Sequence, residues 1–282
     1  MIDLHTHTVF SDGTTTPTQN AALAAAEGLT GVAITDHDTL GGWAEAADAC
    51  AGQGLAFVPG IELSTEAAGR SVHLLGYWCD PEDEQLAAEC ERLRGQRSQR
   101  AERMLERLAA LGVACSLDRV LAHAGGAPIG RPHIAAAMVD AGGVPDVRAA
   151  FDDYIGDGGP AYVVKHALSP ADGVRLIRAA GGAAVIAHPG LADRDAPTTT
   201  GLVAELAAVG LAGVEADHAG HEAGTAAFWR AFARERDLLV TGSSDFHGDR
   251  DHGRIGERGT PVATVEALRL RCGAPGPKER SW

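Results

Sequence analysis

Read for its apolar periodicity, the chain falls into three stretches. In the first, short apolar runs alternate with amphipathic ones. Residues 2–8 alternate strictly, which puts Ile2, Leu4 and Thr6 on one face of a strand and Asp3, His5 and His7 on the other. "TPTQ" then offers Thr16 as an N-cap, Pro17 at the first helical position and Gln19 three after the cap. That is a capping box, and it predicts a helix running to about Gly28. "GVAITDHD" reads as a short strand ending in polar groups, and "GGWAEAADACAGQG" as a helix stopped by glycine. "LAFVPGIELS" and "SVHLLGYW" are two further strands.

The alternation stops near Pro81. Residues 82–111 carry Leu86, Cys90, Leu93, Met104, Leu105 and Leu108 on one stripe of an otherwise charged sequence, the pattern of a long amphipathic helix. Helices are also expected over about 117–124, 131–141 and 145–153. Residues 81–158 therefore read as a helical insertion, a cap over a substrate site, with "IGDGGP" as its exit.

Beyond it the alternation resumes. Ser169, Pro170 and Asp172 mark a helix start in "SPADGVRLIRAA". "GGAAVIAHPG", "AGVEADH" and "LLVTGSSDFH" read as strands, separated by helices at 201–210 and 222–236 and followed by one at 261–271. Repeated strand-then-helix units predict an α/β fold: a parallel sheet of about seven strands, helices outside, closed into a barrel. Residues 1–80 and 159–282 would form that barrel around the insertion.

Composition narrows the picture. Of 282 residues, 45% are hydrophobic but only 5% aromatic, so the core is built of small aliphatic side chains. Thirty-eight acidic against 24 basic residues give a net charge of −14, which argues against a duplex nucleic-acid surface. Five cysteines without a C-x-x-C pair argue against a disulfide framework or a structural zinc site. Neither a signal-peptide pattern nor an apolar run long enough to span a membrane is present. A reducing, cytoplasmic setting is the expectation.

The candidate chemistry follows one regularity: strand after strand ends in a ligand-competent residue. These are His5 and His7, His37, Glu62, His73, His188, and Asp245 with His247; Asp12 lies on a turn just past the first strand. In parallel α/β folds such ends converge on one mouth. His5 with His7, and Asp245 with His247, are spaced i and i+2, so each pair faces one side of a strand. Imidazole and carboxylate without thiolate suit zinc, manganese or iron. Each motif alone has an ordinary structural explanation; the joint pattern is hard to assign to packing. Asp36 and Asp38, flanking His37, suit an orienting or capping role as well as a direct one.

"DLHTHTVFSDG", "ITDHD", "GIELS", "VHLLGY", "AHPG" and "SDFH" resemble the successive motifs of the polymerase and histidinol phosphatase (PHP) superfamily. "IGRPHIA" further resembles its subgroup that cleaves nucleotide phosphates, such as 3′,5′-nucleotide bisphosphate and AMP phosphatases. The resemblance implies a distorted (β/α)7 barrel with a trinuclear centre of two to three divalent ions (Mn, Zn or Fe). It implies one ion on His5, His7, Glu62 and Asp245, a second on Glu62, His73 and His188, and a third on Asp12, His37 and His247. It implies hydrolysis of a phosphate monoester, on a nucleotide or another small phosphorylated substrate, by a metal-bridged hydroxide. Arg131 is then the leading phosphate ligand, with His133 and Lys165 as weaker ones, and His218 the candidate general acid or a further substrate contact. The alternatives are a histidinol-phosphate or sugar-phosphate phosphatase, an RNA 5′-end exonuclease, an amidohydrolase-type amide hydrolase, and a non-catalytic scaffold. Trp43, Tyr77 and Trp78 near strand ends are the aromatics available to stack on a base. The sequence does not settle the oligomeric state.

Overall fold

The computed structural model describes residues 1–126, 129–163, 168–191, 200–248 and 253–273. Among these, strands β1 (Ile2–Asp3), β2 (Gly31–Ile34), β3 (Ala56–Ala67), β4 (Arg70–Tyr77), β5 (Ala183–Ile186), β6 (Gly213–His218) and β7 (Leu239–Ser243) form one sheet in chain order. Its edges meet where Ile2 and Thr260 exchange backbone hydrogen bonds of 2.9 and 2.7 Å and Thr6 bridges to Phe246. The result is a distorted seven-stranded barrel.

The sheet is not wholly parallel, as the alternation predicts. β4 runs antiparallel to both neighbours, β3 and β5. The cause is local. β3 passes into β4 through Ala68 and Gly69, both at positive φ (52° and 80°), the signature of a two-residue hairpin turn. Such a turn cannot deliver a parallel strand. The first strand is also shorter than its alternation suggests, because the regular ladder covers only Ile2–Asp3 before the chain bends into the site.

Helix α1 (Pro17–Ala26) starts as its sequence requires: Thr16 accepts from the Gln19 N–H, and the Gln19 side chain accepts from the Thr16 N–H. Helices α2 (Trp43–Gln53), α7 (Pro170–Ala179), α8 (Thr200–Ala208), α9 (Ala223–Glu235) and α10 (Val262–Arg269) complete the outer ring. Alternate strand residues divide between two apolar clusters. Val32, Ile34, Ile61, Leu63, Leu74 and Ile186 pack outward against the helices. Ala33, Val58, Leu75, Tyr77 and Val185 fill the inside with Leu4. The polar residues Glu62, His73 and Glu215 share the inward parity, so they rest on this apolar floor.

Between β4 and α7 lie α3 (Glu84–Ala110), α4 (Leu117–Ala124), α5 (Arg131–Asp140) and α6 (Val147–Ala150). The last widens into a single π-helical stretch, Phe151–Ile155, where the periodicity suggests plain helix. Met104, Leu108, Val120, Ile134, Met138 and Ile155 form a separate apolar cluster here. α3 belongs to both bodies: Leu86, Cys90 and Leu93 pack into the barrel cluster, Ala101, Met104 and Leu108 into the other.

Candidate metal centre

The strand-end residues meet. His5 Nε2 lies 3.0 Å from His7 Nε2 and 3.3 Å from both Glu62 Oε2 and Asp245 Oδ1. His7 Nε2 lies 3.2 Å from the same Glu62 oxygen and 3.3 Å from the same Asp245 oxygen. His5, His7 and Asp245 thus bring three ligand atoms within 3.3 Å of one another, and Glu62 Oε2 also faces both rings. A tetrahedron with arms of about 2.0–2.1 Å, the length of a zinc–imidazole bond, has edges of about 3.3 Å. The three atoms match such an edge.

Glu62 is the hub. Its Oε2 also faces His37 Nδ1 at 2.9 Å, while Oε1 faces His73 Nδ1 at 2.8 Å and His188 Nε2 at 3.1 Å. The Nδ1 atoms of His37 and His73 are buried and have no hydrogen-bond partner, despite these short separations. Ring lone pairs aimed beside a carboxylate, outside hydrogen-bond geometry, are what shared coordination requires. A third group gathers on Asp12. His247 Nε2 stands 3.4 Å and His7 Nδ1 3.6 Å from its Oδ1, and His37 Nε2 stands 3.7 Å from its Oδ2. His7 and His37 each reach into two groups, so the three share walls rather than standing apart.

Electrostatics follow from this crowding. Burial resists charge on Asp12, Glu62, Asp245, His5, His7 and His37. Against it, His37 and His247 hold the Asp12 carboxyl well below the usual carboxylate range. His37, His73 and His5 do the same for Glu62, and His5 and His247 for Asp245. Burial also opposes charge on His5, yet Glu215, Asp245 and Glu62 keep its pKa well above the ordinary value. Hydrogen bonds to Asp245 and Glu62 overcome burial at His7 and raise it to about 10. At His37 burial prevails, and its pKa falls to about 4. Facing lone pairs, depressed carboxylates and an absence of thiolate fit divalent ions of the zinc, manganese or iron kind.

Buried carboxylates steady the ligand-bearing loops. Asp36 accepts from the Thr8 N–H and Oγ1 at 2.7 Å and from Ser11 Oγ at 2.6 Å, which fixes the turn carrying Asp12. Asp38 accepts from the Ser64 N–H and Oγ at 2.7 and 2.9 Å. Asp3 accepts from Ser244 N–H and Oγ and from the Gly256 N–H; burial nevertheless pushes its pKa up to about 6. Asp38, His188 and Asp245 hold positive φ (54°, 26° and 54°), so the strand ends carry backbone strain at the site itself.

The remaining candidates divide. His218 Nε2 lies 3.3 Å from Asp245 Oδ2, and its Nδ1 accepts from the Gly220 N–H, which leaves the proton of the neutral ring on Nε2. His133 is buried and its Nδ1 accepts from the Gly130 N–H, capping α5. A Cβ on Gly130 would lie 3.5 Å from Asp12 Oδ2, so the start of α5 reaches the barrel mouth. Arg131 follows directly and is ion-paired with Asp157 between the rings of Phe151 and Tyr162, 5.7 and 5.5 Å from their centroids. Lys165 lies outside the described residues. Trp43 and Tyr77 are packing residues: both are buried, with Nε1 donating to Gly60 O and the hydroxyl to Leu4 O.

One member escapes the sequence reading. Glu215 is fully buried and faces His5 Nδ1 with both oxygens, at 3.1 and 3.3 Å. Its signal was available: a lone charge inside the otherwise apolar "GVEA" of β6.

Barrel and cluster together define a metal-dependent hydrolase. Residues 3–110 match the PHP domain. A 3′,5′-nucleoside bisphosphate phosphatase of Chromobacterium violaceum is 37% identical over 254 residues, 90% of this chain and 89% of that protein. A 5′-3′ exoribonuclease of Haemophilus influenzae is 32% identical over 87% of this chain and 89% of its own length. A solved structure from Bifidobacterium adolescentis, provisionally designated a metal-dependent phosphoesterase, superposes with a TM-score of 0.88 at 36% identity, covering 97% of this chain and 96% of that one. The chain belongs to the PHP family of phosphoesterases, hydrolases that act on phosphoric ester bonds.

Proposed function

We propose that the protein releases phosphate from a nucleotide, a nucleoside 3′,5′-bisphosphate or monophosphate, using two to three divalent ions. The carrying observation is Glu62, whose two oxygens are each met by a different set of imidazoles. In this reading His5, His7, Asp245 and Glu62 Oε2 hold one ion. Glu62 Oε1, His73 and His188 hold a second, and Asp12, His37 and His247 a third. Such ions supply, when bound, an activated water at neutral pH and positive charge for the phosphoryl oxygens.

The chain supplies the rest. Asp157 and two aromatic rings hold the Arg131 guanidinium next to the α5 start that abuts Asp12, a place suited to gripping phosphate. His133 sets that start by capping Gly130. The Nε2 proton of His218 faces Asp245 Oδ2 and is positioned to pass to the leaving alkoxide. Lys165 remains a candidate phosphate contact, and α3–α6 the cap that selects the leaving group.

The Chromobacterium relative supports a small nucleotide substrate, and a net charge of −14 supports one over a long polyanion. The test is a phosphate-release panel with manganese present. Adenosine 3′,5′-bisphosphate and AMP should outperform histidinol phosphate and sugar phosphates in kcat/KM. Faster release of mononucleotides from 5′-phosphorylated RNA would move the assignment to an exoribonuclease, the activity of the Haemophilus relative. Amide turnover without phosphate release would overturn it.

A further inference from the structure

Glu215 stands on β6, a strand that brings no ligand to the three groups, and it touches three strands that do. Its Oε1 accepts from Ser243 Oγ on β7, two residues before Asp245. Its Oε2 accepts from the His188 backbone N–H at 2.8 Å, just past β5. Both oxygens face His5 Nδ1, just past β1. Three donors converge on its two oxygens, which suits a carboxylate with acceptors only.

We infer that Glu215 is a positioning residue that holds the Nδ1–H of His5, so that when an ion binds, the Nε2 atom is the one that gives up its hydrogen and turns a lone pair into the His7–Glu62–Asp245 group. The inference rests on the reading of His5 as a metal ligand. Three hydrogens, from His5 Nδ1, His188 N and Ser243 Oγ, enter two carboxylate oxygens. An amide of the same shape offers one oxygen and an N–H₂, which can turn to Ser243 Oγ. Glu215→Gln therefore keeps the volume but removes the charge and one of the two oxygens that face His5 Nδ1. The Nδ1 hydrogen is mobile, because the ring can shift it to Nε2. That shift would point a hydrogen where the lone pair belongs. Lost orienting partners of this kind typically cost about 10–100-fold in metal affinity.

The experiment compares wild type, Glu215→Gln and Ser243→Ala, each stripped by chelation. Zinc is titrated back by calorimetry, and imidazole ¹⁵N–¹H correlation spectra of the zinc-loaded proteins report the His5 tautomer. The expected result is one zinc equivalent weakened about 10–100-fold in Glu215→Gln, with the others retained, and His5 leaving the Nδ1–H form. Ser243→Ala, which removes only one of Glu215's hydrogen bonds, should move the same equivalent less. Wild-type zinc affinity and an unchanged His5 tautomer in both variants would overturn the inference while leaving the metal centre intact. A wild type that takes up no zinc, manganese or iron would overturn the metal reading itself. Should Glu215→Gln fail to fold, Ser243→Ala decides alone, and an unshifted affinity and tautomer there would overturn the role.

Discussion

His5 and Asp12 come from one short run of chain, yet their nearest ligand atoms differ. His5 faces Glu62 and Asp245, whereas Asp12 faces His247, the far nitrogen of His7, and His37. Removing either side chain should therefore empty different places. Asp12→Ala is expected to lower metal content by about one equivalent and to spare the group at His5; His5→Ala should do the reverse. Elemental analysis of the two variants, with equal loss of every ion in both, would contradict separate groups. Protons give a second handle. Without metal, His5 and His7 titrate above their ordinary 6.5 and hold protons at neutral pH. Loading must expel them, so affinity rises with pH, and calorimetry in buffers of different ionisation enthalpy should show proton release. The sign for stability is opposite. His7, raised to about 10, stabilises the stripped fold fully below 6.5 and loses that contribution as pH climbs towards 10. Stripped protein should lose thermal stability over that range while the loaded form gains.

Among elements, those governed by local chemistry were legible. The capping box at Thr16 and the Ser169 cap appear as the residues imply, because a cap is settled within four residues. Thr16→Ala should lower stability by about 1 kcal/mol, about 2 °C in Tm, with activity unchanged; an unmoved melting curve would contradict the cap's role. Strand direction was not legible from periodicity. A strand of β4's composition reads the same either way, and only the Ala68–Gly69 turn at positive φ forces the reversal. Nor was the partner of each ligand. The family resemblance already shares Glu62 between two ions; periodicity alone does not, because its place depends on register, with His37 bridging in parallel to Glu62 across β2 and β3. Glu215 was missed for a related reason: its importance comes from three strands it touches, none adjacent in sequence.

At the scale of the molecule, an apolar floor, a polar mouth and a helical body that touches the mouth at Gly130 make one arrangement. The floor excludes water from beneath the ligands, which strengthens every interaction among them. The helical body shares α3 with the barrel, so it is held rather than tethered. Among the described residues no helix is long and apolar enough to cross a membrane. On the proposed reading the strand-end cluster holds the ions that drive phosphate release. The most direct measurement is phosphate release from adenosine 3′,5′-bisphosphate by chelator-stripped protein, before and after manganese is restored. Release should fall near background when stripped and recover fully on adding metal. Undiminished release from protein shown by elemental analysis to be free of metal would contradict that reading.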